Sequence, residues 1–206
     1  MADFVAFPKI ARLFRDVVVT EKIDGTNAAI GIEEADYESS GAYRHVDGTF
    51  YRVYAQSRKR LITPADDNFS FAKWVWDNAE TLITDLGPGI HFGEWWGNGI
   101  QRGYGKSEKT FSLFNVKRWD NALFKTANLD SVPVLWRGEF STGKVVQIVN
   151  DLRKFGSMAA PGYMRPEGIV VYHTAANTMF KVTLENDEQP KSLSENAVAM
   201  PAMSGI

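Results

Sequence analysis

The stretch Val17-Val18-Val19-Thr20-Glu21-Lys22-Ile23-Asp24-Gly25-Thr26-Asn27 joins an apolar run to a charged turn. The β-branched residues at its start predict a buried strand, and Gly25 permits a tight turn or a close approach of the backbone to a ligand. A lysine that leaves such a strand is a candidate covalent nucleophile, because removal from water or a neighbouring cation favours the neutral amine that attacks. Taken alone, Lys22-x-Asp24-Gly25 is more typical of the turn of a plain β-hairpin than of a nucleophile.

Further segments with candidate functional residues follow in a fixed order. They are Ser57-Arg58-Lys59-Arg60, His91-Phe92-Gly93-Glu94-Trp95-Trp96-Gly97, Phe111-Ser112-Leu113-Phe114-Asn115-Val116, Pro166-Glu167-Gly168-Ile169-Val170-Val171 and Phe180-Lys181-Val182. Together with Lys22-x-Asp24-Gly25-x-Asn27 they resemble the motifs of the covalent nucleotidyltransferases, which are DNA ligases, RNA ligases and mRNA capping enzymes. Each motif is weak alone, so the resemblance depends on their shared order from Lys22 to Lys181. Asn27 favours the ATP-dependent RNA ligase family, because the other two groups usually carry arginine there.

The resemblance implies chemistry for three residues and for a metal. Lys22 would attack the α-phosphorus of ATP and form lysyl-AMP, Asp24 would orient the reacting ends in later steps, and Lys181 would contact the α-phosphate. Glu167 and Asn27 would bind Mg²⁺ or Mn²⁺ or its water molecules. The family usually has a second lysine two residues after Lys181, where this chain has Thr183.

The resemblance also implies a nucleotide site. Glu21 would accept from the adenine amino group, Glu94 would bind the ribose hydroxyls, and Phe114 would stack on the base. Arg58 would contact ribose and phosphate, because a planar guanidinium suits bidentate binding. Alternatives stay open at two of these positions, since Glu21 also fits a solvated carboxylate at a strand end and Phe114 a plain core residue.

A local basic patch is the expected nucleic-acid site, because the 206-residue chain has a net charge of −2. The candidates are Arg60, Arg102 and Lys106; Arg60 is also the main competitor of Arg58, since strand alternation would put both on one face. The glycine-rich segment 97–105 that carries Arg102 lacks the ending of a phosphate-binding loop, and we expect it to border the cleft.

Composition indicates a single domain without disulfides or thiolate zinc sites, because the chain contains no cysteine. No signal peptide or membrane-spanning run is visible, so we expect a cytoplasmic, monomeric protein that does not bind membranes. We predict a nucleotidyltransferase domain over 1–186 and a mobile tail over 187–206. Because only a short segment follows Lys181, we expect no C-terminal OB-type domain.

The predicted fold is α+β, with antiparallel sheets that form a nucleotide-binding cleft flanked by helices, and the resemblance implies the same ATP-grasp-like architecture. Strands are expected over 17–20, 28–32, 51–55, 90–95, 110–116, 168–172 and 179–184, and helices over 66–86 and 144–155. Residues 10–14 fit a short helix or a turn.

Three functional hypotheses compete. The leading one is an ATP-dependent RNA ligase that joins 3′-hydroxyl and 5′-phosphate ends, with a DNA ligase or a ligase of hybrid nicks as the close alternative. Thr183 and the absent second domain favour a nucleotide-binding module without sealing activity. Transfer of AMP to an acceptor other than nucleic acid is the third.

Overall fold

The structure is a computed structural model that describes residues 3–36 and 43–185. Its strands are β1 Asp16–Lys22, β2 Thr26–Glu34, β3 Tyr43–Val46, β4 Thr49–Ser57, β5 Leu61–Ile62, β6 Gly89–Gly97, β7 Lys109–Leu113, β8 Leu129–Ser131, β9 Val134–Glu139, β10 Gly168–His173 and β11 Thr178–Thr183. Its helices are α1 Phe71–Asp77, α2 Ala79–Leu86, α3 Val116–Trp119 and α4 Thr142–Phe155. No helix in these ranges is long and apolar enough to cross a bilayer.

Two sheets form the framework. The smaller sheet has the order β11-β10-β1-β9, and the larger has the order β3-β4-β2-β6-β7-β8 with β5 added beside β4. All pairs are antiparallel except β7 with β8. The predicted α+β architecture of antiparallel sheets with flanking helices is therefore confirmed.

Strand alternation gives each sheet one face for a helical layer and one face for the partner sheet. Ile30 of β2 packs with α1 and α2 on the larger sheet. Val19 of β1 packs with α4 on the smaller sheet. A third cluster joins the two sheets, and it contains Ile23, Trp96, Tyr104, Val116, Val132 and Ala160. The polar residues that alternate with these apolar positions are left to line the cleft.

Most predicted elements are present, with three differences. The helix expected over 66–86 is two helices, because Asn78 ends α1 and donates its side-chain amide to the Trp74 carbonyl, 2.8 Å away. Residues 10–14 form neither strand nor helix. The strand expected over 110–116 ends at Leu113 and is followed by the short helix α3. The tail predicted over 187–206 lies outside the described residues.

Candidate active site

Lys22 is the last residue of β1 and lies in an ion pair. Its Nζ is 2.6 Å from Oε2 of Glu167, and the two side chains are only 25% and 13% exposed. The register explains the pairing, since Lys22 lies opposite Gly168, the residue that follows Glu167. A Cβ on Gly168 would stand 2.1 Å from the Val182 carbonyl oxygen. Glycine is therefore required for β11 to approach β10 at this point.

The turn after Lys22 is fastened to β6. The Gly25 amide donates to Oε1 of Glu94 over 3.1 Å. A Cβ on Gly25 would lie 2.5 Å from the carbonyl oxygen of Trp95, so only glycine allows this approach. The turn and the Gly-Glu-aromatic segment are thus brought together, and Glu94 is held beside the candidate nucleophile.

Glu94 is the most electrostatically perturbed carboxyl group at the site. The pKa of Glu94 is raised to about 7, mainly by burial and in part by the charges of Glu167 and Asp24, against the opposing effects of Lys22 and the Gly25 hydrogen bond. Lys22, Asp24, Glu94 and Glu167 therefore interact as one charge cluster. Within residues 3–36 and 43–185, no three acidic or histidine side chains are close enough to hold a metal directly.

A Glu94→Gln substitution is expected to remove a pH-dependent loss of stability. The folded protein holds a proton on Glu94 up to about pH 7, whereas a glutamate carboxyl group in the unfolded chain releases its proton near pH 4.5. The unfolded chain binds fewer protons between these values, so stability falls as the pH rises through them, by about 3 kcal/mol at most. Urea unfolding with EDTA at about pH 5 and about pH 8 measures this loss. Equal losses in the wild type and the glutamine variant would contradict it.

Asn27 lies on β2 opposite Glu94, and Arg58 follows the end of the neighbouring strand β4. Asn27 pairs with Glu94 across β2 and β6, and Ala28 pairs with Ser57 at the end of β4. Arg58 follows immediately and is exposed. The structure thus places both residues on the sheet that carries Glu94, and their roles remain predictions.

Arg60 does not share a strand face with Arg58, contrary to the expectation from alternation. β4 ends at Ser57, and the chain turns so that the Ser57 amide donates to the Arg60 carbonyl. The Arg60 guanidinium is bidentate to Asp66, at 2.6 and 3.0 Å. A nucleic-acid phosphate would compete with that carboxylate for Arg60.

The segment 97–105 holds Asp24 at two points. Nε of Arg102 donates to Oδ2 of Asp24 over 2.9 Å, and the Asp24 amide donates to the Tyr104 hydroxyl at the same distance. Arg102 also donates to the carbonyl of Arg165, which lies two residues before Glu167. Lys106 places its Nζ 4.6 Å from the centroid of the Trp96 ring. This loop therefore borders the charge cluster, and Arg102 is directed at Asp24.

Lys181 and Thr183 lie two residues apart on the edge strand β11 and therefore share one face of it. Lys181 lies opposite Val170 and is exposed, whereas Thr183 lies opposite Gly168. Gly168 in turn pairs with Lys22, so Thr183 shares the cross-strand row of the candidate nucleophile. Thr183 donates its hydroxyl to the Glu185 carbonyl, 2.9 Å away.

Phe114 follows β7 and is 37% exposed, so it is not a plain core residue. Its amide donates to the carbonyl of Phe92. A cavity of about 310 Å³ opens near the contact of the two sheets, and its lining includes Trp96, Ser112, Val134, Met158 and Ala159. Phe114 is not part of that lining, and its stacking role stays a prediction.

Glu21 is buried, with 1% exposure, on the face of β1 opposite to Lys22. Its carboxylate accepts from the Ser157 hydroxyl at 2.6 Å and from the Met158 and Ala159 amides at 2.8 and 2.9 Å. The solvated strand-end alternative is therefore wrong. These contacts direct the carboxylate at the turn after α4, and none of them supports the predicted adenine contact.

Two contacting residues were missed by sequence reasoning. Tyr104 and Ser157 contact motif residues that are 80 and 136 positions away in the chain. Both lie in loops, where no periodicity indicates a facing direction. The nearest available signal was the run of glycines around Tyr104.

A family model described as RNA ligase matches residues 15–183. The fold and the site define a nucleotidyltransferase-type domain, and the chain belongs to the RNA ligase family. A search among curated proteins found no significant match.

Solved structures of Naegleria gruberi RNA ligase share the fold. A variant with ATP and Mn has 17% identity and a TM-score of 0.54 over 84% of this chain and 51% of that chain. A variant with AMP and Mn has 17% identity and a TM-score of 0.51, with coverages of 83% and 50%. The ligase with PPi has 16% identity and a TM-score of 0.50, with coverages of 89% and 57%. The chain thus spans about half the length of the structures it matches.

Proposed function

We propose that this protein is an ATP-dependent polynucleotide ligase that joins 3′-hydroxyl and 5′-phosphate ends, with RNA as the favoured substrate. The observation that carries the proposal is the placement of Lys22 at the end of a buried strand, 2.6 Å from Glu167 and among the carboxylates of Asp24 and Glu94. Membership of the RNA ligase family supports it.

The reaction consists of three displacements at phosphorus. The neutral Lys22 amine attacks the α-phosphorus of ATP and forms a P–N bond, while the bond from the α-phosphorus to the bridging oxygen breaks and pyrophosphate and a proton are released. A 5′-phosphate oxygen of nucleic acid then takes the AMP, and the lysine leaves with a proton. Finally a 3′-hydroxyl attacks the activated 5′-phosphorus and releases AMP. Positioning and neutralisation of charge are the protein's main contributions to such steps.

The Lys22–Glu167 ion pair belongs to the resting state of the site, before ATP is attacked. The pair ties the ammonium to a carboxylate, whereas attack requires the neutral amine. The pair must therefore open before the first step. The cationic Lys181 on the edge strand β11, which is separated from β1 by β10, is available to neutralise phosphate charge. Asp24 is held by Arg102 and Tyr104 for the later steps.

A divalent metal fits this site through water molecules. The carboxylates of Asp24, Glu94 and Glu167 interact there, and the pKa of Glu94 is raised mainly by burial and in part by the negative charges of Glu167 and Asp24, which a cation would offset. Glu167 and Asn27 are the residues that would hold Mg²⁺ or Mn²⁺, by its waters. Structures of the Naegleria ligase with ATP and Mn support this choice of cofactors. When bound, the metal counters phosphate charge.

The direct test is incubation with labelled ATP and magnesium, followed by addition of nicked duplexes. Protein first stripped with pyrophosphate is expected to retain acid-labile label and to pass it to the 5′-phosphate of a nick. Comparison of all-RNA, all-DNA and mixed nicks identifies the substrate, and we expect the fastest sealing with RNA at the 3′-hydroxyl end. Folded protein that takes no label would refute the proposal in favour of a nucleotide-binding module.

An Arg102→Ala substitution is expected to slow sealing by pre-adenylylated enzyme about tenfold, because a charge-assisted hydrogen bond to Asp24 is lost. If Arg102 acts by positioning Asp24, the affinity for nucleic acid and its salt dependence stay unchanged. If it contacts phosphate, the slope of log affinity against log salt falls by about one. Single-turnover sealing rates and binding titrations at several salt concentrations separate the two roles.

A further inference from the structure

The cleft face of the larger sheet continues beyond the candidate active site as an open apolar surface. Residues two apart on a strand share a face, so Phe92 and Ile90 point to the same side as Glu94, at intervals of about 7 Å. Phe92 is 49% exposed and Ile90 is 52% exposed. We call Tyr54, Ile90 and Phe92 the apolar shelf.

Tyr54 lies flat on this face. A Cβ on Gly31 would stand 2.0 to 2.5 Å from Cζ, Cε2 and Cε1 of the Tyr54 ring, so the ring covers the glycine backbone. Its hydroxyl donates to Oε1 of Glu33 over 2.9 Å, which fixes the far end of the side chain. A ring held flat against a sheet presents its other face outward, as a stacking platform does.

Cationic side chains precede and follow Tyr54 along the chain, Arg52 within β4 and Arg58 and Lys59 just after it. The guanidinium carbon of Arg52 is 5.6 Å from the Tyr54 ring centroid, and Arg52 also pairs with Glu33 at 3.3 Å. Arg58 and Lys59 follow the end of β4 and are exposed. A nucleic-acid backbone that follows β4 would meet positive charge before and after Tyr54, and its bases would lie over the shelf.

We propose that the apolar shelf stacks unpaired bases of the nucleic-acid substrate next to the joining site. The inference rests on the proposed ligase function and gives the protein a second surface that contacts the substrate. Aromatic rings on an open antiparallel sheet with flanking arginines are a combination that binds single-stranded nucleic acid. A protein partner is less well matched, because cationic side chains lie on both sides of Tyr54 along the chain.

The test is the binding of a fluorescein-labelled single-stranded RNA of roughly 12 nucleotides, within the site sizes of such platforms. Binding is followed by anisotropy with EDTA and without ATP, so that no joining occurs. The variants are Phe92→Ser, Phe92→Tyr, which keeps a ring, and Phe155→Ser, a matched control that is 65% exposed on α4. A blunt RNA duplex is the control ligand, and unfolding midpoints confirm that each variant is folded.

Phe92→Ser is expected to weaken single-strand binding about tenfold, which corresponds to the loss of one stacked base. The salt dependence should not change, since no phosphate contact is removed. Phe92→Tyr and Phe155→Ser should bind as the wild type does, and duplex binding should be unaffected by all variants.

Three results would overturn the inference: equal single-strand binding by Phe92→Ser and the wild type, an equal loss for duplex, or a wild-type dimer that Phe92→Ser dissociates. The dimer result would assign the shelf to a second copy of the chain. Lysyl-AMP formation by the wild type is measured in parallel. If the wild type takes up label and Phe92→Ser binds RNA as the wild type does, the proposed ligase function stands and only the proposed role of the shelf is refuted.

Discussion

Lys22→Ala is expected to abolish retention of label from ATP on the denatured protein, because Lys22 supplies the amine that forms the P–N bond. The loss should exceed a thousandfold, on the order of that seen when a covalent nucleophile is removed. Lys22→Arg should fail equally, although a guanidinium can keep the pair with Glu167. Arginine stays charged and cannot attack as a neutral amine.

The matched control is Lys154→Ala, at the end of α4 and remote in sequence from every motif. It should take up label as the wild type does, and acid should release that label while alkali does not. The mass of the intact protein would show the added AMP, and peptide mapping would locate it. Label that persists in Lys22→Ala, or that maps to another lysine, would contradict the assignment of the nucleophile.

The backbone geometry of the site follows from sequence where a periodic element carries the residue. The period of a strand is a local property, so Lys22 at the end of a valine-rich strand and Glu94 in an aromatic strand could be placed from the sequence. The ion pair of Lys22 with Glu167 joins residues 145 positions apart. The motif order of the family predicted that meeting, whereas the hydrophobic pattern alone did not.

Side-chain direction in loops could not be predicted in the same way. Arg102 was predicted to contact nucleic acid, yet its guanidinium is held by Asp24, 78 positions earlier. Arg60 was placed by alternation on a strand that ends three residues before it. The orientation of Arg102 is decided by Asp24, which is distant in sequence, and that of Arg60 by Asp66, which lies beyond a turn. Local propensities do not encode such partners.

Thr183 illustrates how register changes the meaning of a departure from the family pattern. The row Lys22, Gly168, Thr183 crosses three strands, so a lysine at 183 would place a second cation in line with the nucleophile. Threonine supplies a hydroxyl there and no charge. We infer that Lys181 carries the neutralisation of the α-phosphate on this strand.

Glu21→Ala is expected to destabilise the fold by about 3 kcal/mol or more, because it leaves a buried hydroxyl and two amides without their acceptor. Met158 and Ala159 line the cavity between the sheets, so the same change should weaken ATP use by displacing one wall. Glu21 would then act by fastening the turn after α4. Ser157→Ala, which removes one of the three contacts, should lie between the wild type and Glu21→Ala.

The competing role of Glu21 makes a different prediction. An adenine acceptor would contribute to the choice of ATP over GTP, so its removal would raise GTP use relative to ATP with little change in stability. An anchoring carboxylate would lower the use of both nucleotides together and leave their ratio unchanged. Urea unfolding and label uptake from ATP and from GTP, measured on the same preparations, separate the two. A stable Glu21→Ala protein with relaxed nucleotide choice would restore the adenine contact. An unstable one that still prefers ATP would assign Glu21 to the cavity wall, since its side chain leaves β1 on the face away from Lys22.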